Sequence, residues 1–146
     1  MPTAAKFVAA VLLAALAYYA SELVKELMTD RDRFGPFSLV NAGIGALTGW
    51  LSVGARAGHG MSAAISNGVT GVVSGLFCCL AVHSIDEMVE RAFDRRYDSM
   101  IEAAASVFEL MVEFAAVLVD LNFALTLVAG AIVVGYLTEL TARNWR

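Results

Sequence analysis

Four apolar runs, at residues 7–24, 37–54, 61–85 and 121–138, constrain this chain more than anything else in it. A helix needs about 20 residues to cross a hydrocarbon core of about 30 Å, and each run approaches or exceeds that length. The whole chain has 146 residues, of which 59% are hydrophobic, and its mean hydropathy is +0.70. A soluble domain of this size cannot bury so much apolar surface, so lipid must be the solvent for much of it. The expected fold is all-α: a single membrane domain over residues 1–146, with four transmembrane helices and one acidic amphipathic helix at about 99–120.

The second and third runs fold back on each other at the short turn from Gly54 to Gly60. Asn41, Gly45 and Gly49 recur every four residues on the first arm, and Asn67, Gly71 and Gly75 do so on the second. Residues four apart share a helix face. In lipid, ridges of small residues let backbones approach closely, and that packing is the main attraction available between helices. The spacing therefore predicts a seam between the two arms, with each asparagine level with the opposite glycines and within reach of backbone carbonyls.

Lys6, a short apolar core and the small residues Ala15 to Ala17 imitate a signal peptide, but the first run reads as the first membrane helix. Alternating charges from Asp30 to Arg33 suit a solvated loop, Gly35 and Pro36 mark its end, and Ser38 is the expected cap of the second span. Tyr18, Tyr19, Trp50 and Tyr136 near segment ends fit interfacial anchoring. His83 lies four residues before Glu87, a spacing that suits a hydrogen bond at the membrane boundary; one histidine without further ligands does not make a metal site. Arg and Lys are divided evenly enough that orientation rests on a slight preference for cytoplasmic loops after the first and third helices.

Ser99 and Glu102 match a capping box and open a new helix. Glu102, Glu109, Glu113 and Asp120 would then lie within about forty degrees of one line on an ideal helix. On the insertion scale a central carboxylate costs roughly 2.5 to 3.5 kcal/mol and each large apolar residue returns about 0.3 to 0.6, so a span is nearly balanced. The favoured placement is the interface, with the acidic stripe turned to water or to a partner. Surface-bound amphipathic helices are commonly basic, so an acidic one implies protein contact.

Net charge is -4, with no cluster of Lys and Arg, which argues against nucleic acid as a partner. Cys78 and Cys79 project about a hundred degrees apart on a helix, a poor geometry for a disulfide, and read as packing residues. Nucleophile elbows, zinc motifs, phosphate loops and haem or iron–sulfur spacings do not occur, so neither catalytic residues nor a cofactor is expected.

Six stretches together resemble the TrgA family: residues 41–50 (NAGIGALTGW), 54–58 (GARAG), 67–70 (NGVT), 95–98 (RRYD), 108–113 (FELMVE) and the terminal 144–146 (NWR). These are small bacterial membrane proteins linked to tellurite resistance. The resemblance covers essentially the whole chain and implies a multi-pass protein of the bacterial inner membrane, with no catalytic residues attached. The function expected is that of a non-catalytic accessory subunit packed against a larger respiratory or photosynthetic membrane complex. Two alternatives stay open: a small dimeric proton-coupled transporter using Glu109 and Glu113, and direct tellurite transport. The last lacks the Arg or Lys inside a span that an anion path requires.

Overall fold

The computed structural model describes residues 3–30 and 32–145, and among these the chain is helical with no strand. The helices are α1 (Ala4–Leu27), α2 (Phe37–Thr48), α3 (Met61–Phe93), α4 (Met100–Val117) and α5 (Leu121–Asn144). α2 runs on through a π-helical turn, Gly49–Val53, and a 3-10 turn, Gly54–Arg56. Four stretches are long and apolar enough to cross a membrane: Ala4–Leu27, Phe37–Arg56, Met61–Phe93 and Leu121–Asn144. By the length and composition of its helices the chain is a multi-pass membrane protein.

Local chemistry sets the boundaries. Thr3 caps α1, its side chain accepting from Lys6 N at 3.3 Å. Pro36 stands at the N-cap of α2, and the expected cap Ser38 instead donates its hydroxyl to Glu22 Oε1 on α1 at 2.6 Å. Gly58 and Gly60 take φ of 96° and 103° in the turn before α3, a region closed to most side chains. At 33 residues α3 is about 50 Å long, well beyond the membrane core, and its last turns carry Asp86, Glu87, Glu90 and Arg91. Arg91 pairs with Glu87 at 2.9 Å, one of the local pairs that suit this end to water.

Half of the capping box forms, with Ser99 Oγ accepting from Glu102 N at 3.1 Å, while Glu102 Oε2 reaches one residue past the cap and accepts from Asp98 N at 2.9 Å. α4 ends at Val117, however, and Asp120 does not extend its acidic stripe. Asp120 Oδ2 accepts from Phe123 N at 3.0 Å and so caps α5. A short acidic side chain satisfies a helix start better than a helix interior.

α3 is the post on which the C-terminal half is mounted. Gly68 faces Ala131 and Gly135 of α5, and Gly135 faces Ala64, so α5 packs antiparallel along the first half of α3. α4 packs on the second half, with Ser106 and Leu110 as its buried residues. α1 joins this pair to α2. The main core cluster takes Ala9 and Leu13 from α1, Val53 from the π turn, Val72 from α3, and Ala131 and Val134 from α5. A second cluster of Ala20, Val24 and Phe123 sits toward the other end of α1.

The glycine ridges are used, but not against each other. A Cβ on Gly45 would lie 2.6 Å from Leu13 O, one on Gly49 would meet Ala9 and Ala10, and one on Gly54 would meet Lys6. That ridge therefore lies antiparallel on α1. Gly71 instead receives the Val53 side chain and Gly75 faces Thr48. The expected glycine-to-glycine seam is divided because α1 presents its own small face, with Ala5, Ala9 and Ala20 buried, and two small faces approach more closely than a glycine face and a valine.

Candidate functional site

Two hydrogen-bonded polar clusters tie the helices together among the described residues, besides the Ser38–Glu22 contact. The first is the turn between α2 and α3. Glu139, in the last third of α5, is 2% exposed and accepts from Gly58 N at 2.7 Å and from Gly60 N at 2.8 Å. Arg143, one turn later, places Nε 3.5 Å from the same carboxylate. The two backbone donors are turned inward by the positive φ of both glycines. One carboxylate thus clamps the α2–α3 turn to the end of α5.

The second cluster joins three helices. Ser21 Oγ donates to Ala17 O at 2.6 Å, so its one proton is spent within α1 and its oxygen must accept the 2.9 Å bond from Asn41 Nδ2. That fixes the amide orientation and points Asn41 Oδ1 at His83 Nε2, 2.7 Å away. Oδ1 can only accept, so Nε2 carries the proton. Phe37 lies against the His83 ring, with centroids 4.4 Å apart. His83 thus forms a hydrogen bond between helices, where the sequence pointed to one within α3. Its partner Asn41 reaches Ser21 and His83, and not the carbonyls beside Gly71 and Gly75.

Asn67 does find a backbone carbonyl, donating to Arg56 O at 3.0 Å, at the exposed turn. Gly45 and Gly49 pack against α1, and Gly71 and Gly75 pack against the end of the second span. Glu109 and Glu113 are exposed on α4, beside Phe108 and Val112, which are 71% and 70% exposed. Glu102 is engaged at the cap and Asp120 at the start of α5. Cys78 is exposed and Cys79 partly covered, both as free thiols. Among the described residues no three His, Cys, Asp or Glu side chains gather closely enough to hold a metal ion.

Glu139 is the site residue that the sequence reading passed over. Its signal was present: an acid within an apolar helix, Arg143 four residues later, and a glycine-rich turn that could supply donors. Ser21 was equally legible as the one hydroxyl on α1's buried face.

Replacing Asn41 by Leu removes both inter-helix hydrogen bonds and leaves the His83 N–H in an apolar setting. The expected loss is about 1 to 2 kcal/mol in reversible unfolding from mixed micelles, near the upper end for single polar contacts in membranes. Ser21→Ala removes one bond and should cost less than half of that.

No family model, characterised protein or solved structure matches the chain.

Proposed function

We propose that this protein is a non-catalytic accessory subunit of the bacterial inner membrane, packed through the α3–α4 hairpin against a larger energy-transducing complex. The observation that carries this reading is the outer surface of α4. Outside the four membrane-crossing helices, α4 exposes Met100, Ile101, Phe108 and Val112 beside Glu109 and Glu113. Several large apolar side chains exposed on one helix call for cover. From Asp86 to Glu113 there are eight acidic and three basic residues, so an anionic membrane surface is a poor cover and a protein with basic residues at its rim is a good one.

The transporter alternative draws less support. α4 holds three glutamates in 18 residues and is not among the four candidate spans, and Glu109 and Glu113 face outward. A direct tellurite path would need cations along a span interior, whereas Lys6 and Arg143 lie at helix ends. The resemblance to the TrgA family supports an inner-membrane setting and an indirect route to tellurite tolerance, through the complex that this subunit accompanies.

The test is Glu109→Lys with Glu113→Lys. Both positions are exposed, so the double variant should unfold within about 0.5 kcal/mol of the parent. It should also lose co-migration with the larger assembly in native gels of mildly solubilised membranes. Retained co-migration at parental stoichiometry would overturn the assignment of this surface.

A further inference from the structure

The five helices leave a cavity of about 110 Å³ between them, and its chemistry specifies an occupant. Leu76 of α3, Phe114 of α4 and Leu127 of α5 contribute to walls that are overwhelmingly apolar. Among the described residues no Asp, Glu, Lys or Arg lines it. Its polar side is the linked trio Ser21, Asn41 and His83, all of which border the cavity.

Within that trio the donors and acceptors do not balance. Asn41 is 6% exposed, its Oδ1 is taken by His83, and one Nδ2 hydrogen goes to Ser21. The second Nδ2 hydrogen has no acceptor among the described residues. An amide hydrogen left over in an apolar, water-poor setting is a recognition element for an oxygen acceptor. With His83 Nε2 committed to Asn41 and no Asp, Glu, Lys or Arg among the described wall residues, a neutral acceptor suits the site. Size restricts it further: the volume is below the about 150 Å³ of an engineered apolar cavity that holds benzene, so at most a single small ring fits inside.

We propose that this cavity binds the head of a neutral, membrane-dissolved molecule, a carbonyl on no more than one small ring, with the carbonyl oxygen accepting from Asn41 Nδ2 and the longer apolar body leaving through the cavity's open side. The site stands on its own geometry, independently of the α4 surface.

The probe is 4-decylacetophenone, whose aryl ketone inserts into neighbouring C–H bonds under ultraviolet light, applied to the full chain in lipid nanodiscs. Adducts mapped by mass spectrometry are expected to concentrate on cavity residues such as Met28, Leu76 and Leu127. A tenfold excess of 4-decylcyclohexanone should suppress them, and decylbenzene, which lacks the oxygen, should not. Asn41→Leu should lower cavity labelling about tenfold. Leu76→Phe, which narrows the cavity and leaves the polar trio in place, should lower it as well, so the site remains testable should the first variant fold poorly. Adducts spread over lipid-facing residues such as Val73 and Phe77, unchanged in Leu76→Phe, would overturn the site. Equal suppression by decylbenzene would overturn the carbonyl head.

Discussion

Glu139→Ala loses about 2 to 4 kcal/mol of stability. Truncation leaves the Gly58 and Gly60 N–H groups facing the space of a buried carboxylate, each donor forfeiting a charge-assisted bond. Two companion variants separate the clamp from simple ion pairing. Arg143 is half exposed and 3.5 Å away, so Arg143→Ala should cost under about 1 kcal/mol. Glu139→Gln keeps one acceptor oxygen but turns an NH₂ toward a second donor, and should fall between the two. Unfolding in mixed micelles gives the ordering, and hydrogen exchange at Gly58 and Gly60 gives the mechanism: both amides should become unprotected in Glu139→Ala alone. An Arg143→Ala loss as large as that of Glu139→Ala would assign the stability to the ion pair instead.

Gly135→Leu should be more damaging still, separating α3 from α5. Even a Cβ at Gly135 would collide with the Ala64 carbonyl, and one at Gly68 with the Ala131 carbonyl. Both obstacles are backbone, which cannot rotate away as a side chain does. Gly135→Ala should therefore lose about 1 to 3 kcal/mol, and the leucine variant should fail to assemble this pair of helices at all. Gly43 provides the control, because nothing lies within 4 Å of its Cβ position. Gly43→Ala should be neutral or slightly stabilising, as expected where a helical glycine has no neighbour to admit. Equal losses at Gly43 and Gly135 would show that helix propensity, and not close approach, governs the glycines.

The contrast between these glycines explains how far the sequence could be read. Apolar run length placed four spans at once, and the Ser99–Glu102 box placed the start of α4, because each signal is local. The four-residue spacing of Gly45 and Gly49 correctly marked a face for close contact. It could not say which helix would meet that face, since any small face in the bundle is a candidate, and α1's alanines resembled the ordinary composition of a leader or a span. Asp120 fell in phase with the α4 glutamates by arithmetic alone. Periodicity continues past a helix end whose break is a three-residue turn, Leu118 to Asp120, without Gly or Pro. Glu139 required knowledge that the Gly54–Gly60 turn and the end of α5 share one side of the bundle, a relation 79 residues apart in the chain.

The molecule divides its surfaces by side-chain size. Small residues are consumed inside the bundle, between α1 and α2 and between α3 and α5, while α4 keeps its large apolar and acidic side chains outermost. Native mass spectrometry of particles released gently from the membrane tests this most directly. The 15.5 kDa chain should appear in fixed ratio with at least one other, larger polypeptide. Particles containing this chain alone, singly or as a dimer with lipid, would contradict it.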